Sequence, residues 1–151
     1  MSVFTKGLAK LFGSKSDRDI KEVTPYVEQI NKIFSSFASL SDDELRNKTT
    51  ELKEIIASDL KEIDDQIAGL QQKIEDNPEL DIQEKESTFE AIDKLEEERN
   101  EALEKTLMNI LPQAFAVVKE TARRLKENGE LKVTATLWDK QLAAKGDHIK
   151  I

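Results

Sequence analysis

Cysteine is absent from the 151 residues, so the chain can form neither a disulfide nor a thiolate metal site, as suits a reducing cytosol. Proline occurs three times and glycine five times, too sparsely for the frequent tight turns of an all-β fold. Aromatic residues make up 5% of the chain and hydrophobic residues 38%, so any core is thin. No run of 18 apolar residues exists, which excludes a transmembrane helix. The N-terminus also lacks the continuous apolar stretch and small-residue cleavage site of a signal peptide. A protein that stays on the side of the membrane where it is made is expected.

Catalytic chemistry is missing as well. There is no G-x-x-x-x-G-K-[ST] loop, and Gly7, Gly13, Gly69, Gly129 and Gly146 are too dispersed to cradle a phosphate. His148 is the only histidine, and general base catalysis needs a positioned partner for it. The acids follow no D-x-[DN]-x-[DN]-G pattern, so they read as a solvated surface rather than a calcium loop. No catalytic, cofactor or metal site can be assembled from this chain alone.

What is present is charge, at 36% of residues, in a composition rich in Glu, Lys, Leu and Ala that suits long exposed helices. The net charge of −8 is unevenly spread. Residues 1–16 hold Lys6, Lys10 and Lys15 and no acid, whereas residues 59–104 hold 17 acids against five bases. So acidic a middle repels phosphates and argues against a nucleic-acid partner.

Periodicity organises the chain. Val3, Phe4, Leu8, Leu11 and Phe12 recur at helical spacing around Lys6 and Lys10, a short amphipathic helix ended by Gly13. It suits either an anionic lipid surface or docking on the protein's own body. Ile20, Val23, Val27, Ile30, Ile33, Phe34 and Phe37 mark a second helix. Pro25 either distorts it locally or restarts it behind Thr24, and a nearly continuous element is favoured. Ser41-Asp-Asp-Glu44 reads as a capping box. Leu60, Ile63, Ile67, Leu70 and Ile74 then follow a heptad, interrupted by Asp76-Asn-Pro-Glu79. A second run returns through Ile82, Phe89, Ile92, Leu95, Leu103 and Leu107. The pattern predicts an antiparallel coiled-coil hairpin of residues 42–76 and 81–109 with its tip at Asn77-Pro78.

A helix is expected to restart at Ile110-Leu111-Pro112 and to end at Gly129 in a left-handed cap. Arg123 and Arg124 in its last turns either grip an anion or complement the helix dipole. Beyond it, Leu131–Leu137 and His148–Ile151 alternate like strands, with a short helix over Trp138–Ala144 between them. Trp138 reads as a partner anchor or as the cover of a local core. The fold class is thus mainly α: an amphipathic N-terminal helix, a long antiparallel coiled-coil hairpin, an apolar helix and a small C-terminal β segment.

Two blocks of this sequence carry a resemblance. Leu111-Pro-Gln-Ala-Phe-Ala-Val-Val-Lys-Glu-Thr-Ala-Arg-Arg-Leu125 resembles the (L/I)-P-E-A-F-A-V-V-(R/K)-E-(A/T)-(S/A)-(R/K)-R block of the SecA family. Leu40-Ser-Asp-Asp-Glu-Leu-Arg-Asn-Lys-Thr49 resembles its L-S-D-E-E-L-(K/R)-x-K-T block, and both stand in the family's order. The resemblance covers residues 1 to about 56 and 110 to 125. Typical members join the equivalents of Ile56 and Ile110 by a short connection, where this chain has the hairpin. Many also pass soon after the equivalent of Leu125 into a Y-D-V-Q-L-x-G-G motif and then the phosphate loop. The longer layout is similar to that of SecA from some Bacteroidetes-like bacteria.

The resemblance implies the N-terminal portion of a preprotein translocase motor, ending before its nucleotide-binding motifs. When intact, the motor would couple ATP hydrolysis to export of unfolded preproteins through the SecYEG channel. ATP and magnesium are implied for the full-length family, and no cofactor for this chain. Residues 1–15 would be a membrane- and channel-contact helix, with Phe4, Lys6, Leu8, Lys10, Leu11, Phe12 and Lys15 facing anionic phospholipid and SecYEG. Residues 16–56 would be the helical lead-in to the motor domain, and 57–109 a coiled-coil insertion. Residues 110–151 would be the helix and strands leading into the first nucleotide-binding domain, the start of an α/β motor. The implied location is cytoplasmic, peripherally attached to the inner face of the cell membrane, with a homodimer left open. A stand-alone helical-hairpin scaffold or prefoldin-like holdase is the alternative.

Overall fold

The computed structural model of the chain describes residues 15–130 and 132–146. Its helices are α1 (Lys15–Phe37), α2 (Asp42–Asp76), α3 (Ile82–Asn128) and α4 (Leu137–Ala143), and no strand occurs among the described residues. None of these helices is long and apolar enough to cross a membrane.

Pro25 lies inside α1 without breaking it. The Thr24 hydroxyl donates to the Ile20 carbonyl at 2.6 Å, a back-bond within the helix rather than an N-cap contact. Pro25 faces solvent, where water can satisfy the carbonyl that the missing N–H leaves free. The nearly continuous helix expected from the sequence is therefore the one that forms.

The Ser41 capping box starts α2: the Ser41 N–H donates to Glu44 Oε2 at 2.7 Å, and the Glu44 N–H donates to Ser41 Oγ at 3.2 Å. At the far end, Asn77 Nδ2 donates to the Lys73 carbonyl and caps the last turn. Asp81 then caps α3 through the Gln83 N–H. The tip thus lies at Asn77–Asp81, as the proline signal predicts. By the rise of a helix, 35-residue α2 is about 50 Å long and 47-residue α3 about 70 Å.

The seam between the arms uses fewer apolar residues than the heptads suggest. On α2 the buried positions are Leu45, Leu52, Leu60 and Ile67; on α3 they include Thr88, Ile92, Thr106 and Ile110. Ile82, Phe89 and Leu107 were expected in the seam but are 79%, 53% and 44% exposed. Threonines take seam positions because their hydroxyls are satisfied there. Thr88 Oγ1 donates to the Glu84 carbonyl at 2.7 Å, and Thr106 Oγ1 donates across the arms to Asp59 Oδ2 at 2.7 Å. Arg99 to Asp64 and Lys73 to Glu84 add cross-arm ion pairs.

The restart expected at Pro112 does not occur; α3 runs through it. Pro112 is buried within α3, the helix on which both α1 and α2 pack. Burial and tertiary packing along α3 offset the roughly 3 kcal/mol that an interior proline costs a helix. Phe37, Leu45 and Ala116 form the core at this level, with Ile30, Ile33, Phe34, Leu40 and Val117 against it. The boundaries expected at 56/57 and 109/110 consequently fall inside continuous helices.

Gly129 closes α3 in the left-handed region, at φ 72°, with its N–H on the Leu125 carbonyl at 3.0 Å. The expected β segment is not found over 132–136, which is neither helix nor strand. Alternate amides there are taken by side chains at the start of α2: the Lys132 N–H donates to Asp42 Oδ2 at 2.7 Å and the Thr134 N–H to Asp43 Oδ1 at 2.8 Å. The expected strand His148–Ile151 lies outside the described residues. The short helix after Thr136 does form, as α4.

Leu60 and Ile92 in the seam should each cost about 2–5 kcal/mol of unfolding free energy when cut to alanine. Exposed Ile82 and Phe89 should cost within about 0.5 kcal/mol. Urea melts of the four variants check this; equal losses would place the seam where the apolar heptad had it.

Candidate functional site

The most constrained group in the molecule is the Arg124 guanidinium, 6% exposed, beside Glu120 at 0%. One turn separates them on α3, so both side chains leave the same face. Arg124 Nε donates to Glu120 Oε1 at 2.8 Å, and Nη1 to Asp42 Oδ1 at 2.6 Å. Nη2 donates to the carbonyls of Phe37 at 3.1 Å and Leu40 at 2.6 Å. The Phe37 carbonyl belongs to the last turn of α1, where carbonyls lack helical partners and carry the negative end of the dipole. One side chain thereby ties the end of α1, the start of α2 and the body of α3 together.

Glu120 also accepts from Arg123, at 2.9 Å from Nε and 2.6 Å from Nη2. The two guanidiniums, Arg123 first, outweigh burial and hold its carboxyl down at about 2. Asp42 is likewise lowered, chiefly by Arg124 and then by the Lys132 amide. Asp43 is lowered by the Thr134 hydroxyl and amide. Arg46 Nη2 donates to both carboxylate oxygens of Asp139, at 2.8 Å each. Asp139 in turn accepts from the Thr136 N–H and hydroxyl, and these bonds with Arg46 bring it to about 2. A cleft of about 370 Å³ opens here, lined by Leu45, Arg46, Thr49, Val117, Thr121 and Val133 among others.

This arrangement positions elements relative to one another. Its guanidiniums are committed to carboxylates, and no group of acids or histidines that could hold a metal ion occurs among the described residues. Of the membrane and channel residues expected from sequence, Phe4, Lys6, Leu8, Lys10, Leu11 and Phe12 lie outside the described residues, as does His148. Lys15 is the exposed first residue of α1. Trp138 is 64% exposed and covers no core. For Arg124 the anion grip prevails over the dipole reading. Sequence reasoning missed Glu120, the Arg46–Asp139 pair and the docking of residues 132–136. The signal available was the i, i+4 spacing of Glu120 and Arg124 inside one block and the twin acids Asp42-Asp43 inside the other.

The two blocks that stood apart in sequence therefore meet at the part-buried Arg124–Asp42 ion pair. The model of the SecA DEAD-like domain family matches residues 8–145. The chain belongs to the SecA DEAD-like domain family. Among its relatives are proteins named protein translocase subunit SecA from Cytophaga hutchinsonii, 56% identical over 144 residues, and from Phocaeicola vulgatus, 47% identical over 149 residues. A third, from Amoebophilus asiaticus, is 46% identical over 146 residues. These matches cover 95%, 98% and 97% of the chain, so the hairpin is shared with these SecA proteins. The chain spans about 13% of each relative's length. No solved structure matches.

Arg124→Met should lower unfolding free energy by about 1–3 kcal/mol: Glu120 keeps Arg123 but loses a donor, part-buried Asp42 loses its cation, and the Phe37 and Leu40 carbonyls lose theirs. Arg124→Lys should recover only part of it, since an ammonium cannot reach four acceptors on three elements. A denaturant series on both variants checks this. The pH dependence follows from the Glu120 carboxyl, lowered from 4.5 to about 2. A depressed folded-state value gives stability that is full above about pH 4.5 and is lost as pH falls toward about 2. Thermal melts across that window should show the loss, and Glu120→Gln should reduce but not abolish it, because Asp42, Asp43 and Asp139 are lowered as well.

Proposed function

We propose that this chain is the N-terminal portion of a SecA-type translocase motor, which couples ATP hydrolysis to export of unfolded preproteins through SecYEG. The observation that carries the reading is the meeting of the two motif blocks at the part-buried Arg124–Asp42 pair, in a chain whose relatives are named translocase subunits. A prefoldin-like holdase would account for the hairpin but for neither block.

ATP and magnesium are the cofactors of the whole motor in this reading. The residues described here do not fit either: Arg46, Arg123 and Arg124 are paired with acids, and no phosphate loop is present in the sequence. Nucleotide chemistry is accordingly assigned to no residue of this chain. Its own part is to frame the motor: residues 16–56 as the lead-in, 57–109 as the hairpin, and 110–151 as the approach to the first nucleotide-binding domain. Residues 1–15 supply the contact with anionic phospholipid and channel through Phe4, Lys6, Leu8, Lys10, Leu11, Phe12 and Lys15. The protein would thus work in the cytoplasm, peripherally attached to the inner face of the membrane.

The chain on its own should hydrolyse no ATP above buffer background, whereas the full-length protein should show hydrolysis stimulated by preprotein and SecYEG vesicles. A full-length protein indifferent to both would overturn the reading. Residues 1–15 should bind anionic vesicles weakly, with about 1 kcal/mol from each lysine near the surface, and release them as salt rises. Co-sedimentation of the chain, its 1–15 deletion and Phe4→Ser/Phe12→Ser at low and high salt tests this. Equal binding by all three would exclude a membrane role for the segment.

A further inference from the structure

Ile82 and Phe89 stand out among the exposed residues because the hairpin seam has no use for them. They are 79% and 53% exposed. Seven residues apart on α3, they share one face near the tip, about 10 Å from each other along the axis. Neither is needed to close the arms, which are held by Ile67, Thr88 and Ile92 in the seam and by the Lys73–Glu84 pair. Two large apolar side chains are thus left exposed on one face of a projecting arm, with Glu86 between them.

Charge selects what can cover it. Glu86 and Asp93 lie one turn from Phe89 on its face, with Glu90 beside it, and none of the three makes an ion pair or hydrogen bond through its side chain among the described residues. Of the nearby cations, Lys85 donates to the Pro78 carbonyl at 2.6 Å, Lys73 pairs with Glu84 and Arg99 with Asp64, while exposed Lys94, one turn from Glu90, can offset only one of the three acids. Residues 59–104 as a whole hold 17 acids against five bases. A second copy of this arm would bring like charge against like, and an anionic bilayer would be repelled in the same way. A partner helix with an apolar face flanked by Lys or Arg meets both demands at once, by the helix-against-apolar-face mode of recognition.

We propose that the Ile82–Phe89 face of the hairpin is a docking surface for a basic amphipathic helical segment of another protein. The proposal extends the export reading without resting on it, because residues 1–15 and the Arg124 cluster play no part in this surface.

The probe is a fluorescent 18-residue peptide of Leu and Lys patterned as an amphipathic helix, titrated into the full chain and followed by anisotropy. A scrambled peptide of the same composition, without an apolar face, serves as its control. Saturable binding of the patterned peptide is expected, with the scrambled one at least about tenfold weaker. Phe89→Ser and Ile82→Ser should each weaken binding about tenfold while leaving circular dichroism and the urea midpoint unchanged. Glu86→Gln/Glu90→Gln/Asp93→Asn should weaken it and flatten its salt dependence. Equal binding of both peptides would reduce the effect to non-specific attraction and overturn the proposal. So would unchanged affinity in the two serine variants, or the absence of binding.

Discussion

A buried guanidinium holds this molecule together. Arg124 has no water to fall back on, so each of its bonds must be made within the protein, and its partners come from three different elements. Removing a charge from water is costly, and that cost is offset only when every partner is in place together. The result is an all-or-none junction. The end of α1, the start of α2 and the body of α3 are fixed as one unit, around a core no larger than Phe37, Leu45, Ala116 and their neighbours. In a chain so poor in hydrophobic residues, polar geometry supplies the uniqueness that apolar packing supplies elsewhere.

The same corner of the structure shows how a helix start can substitute for a sheet edge. Asp42 and Asp43 open α2 and favour its dipole, yet their second task is to receive the amides of Lys132 and Thr134. Arg46, one turn further along, reaches Asp139 and fixes α4. Three residues of one block thus seat the segment that follows α3. The motif Leu40–Thr49 is dense because its side chains serve helix initiation, the Arg124 junction and tail docking within ten consecutive positions.

Features governed by neighbouring residues were legible in the sequence. The Ser41 capping box, the tip at Asn77-Pro78, the passage of α1 through Pro25 and the Gly129 cap each depend on contacts within one or two turns. What escaped was set from a distance. The bond between residues 42 and 124 crosses the whole hairpin, and nothing local marks it. Pro112 reads as a break until its burial within α3 is known. The alternation of residues 131–137 is genuine, but periodicity cannot say whether carboxylates or a strand will take the amides. Thr88 and Thr106 were overlooked because a seam was sought among apolar residues alone. The family resemblance rested on the two blocks and did not depend on these errors.

Because α3 continues as one helix from the hairpin tip through Pro112 to the Arg124 junction, no loop separates that arm from the junction. From Ile82 to Arg124 the helix measures roughly 60 Å. A tilt of about 5° at the junction therefore sweeps the tip through about 5 Å, by the geometry of a rod of that length. Force applied at the tip returns along the same rod to the point where α1 and α2 converge. The arm is a lever, with its fulcrum at a single arginine.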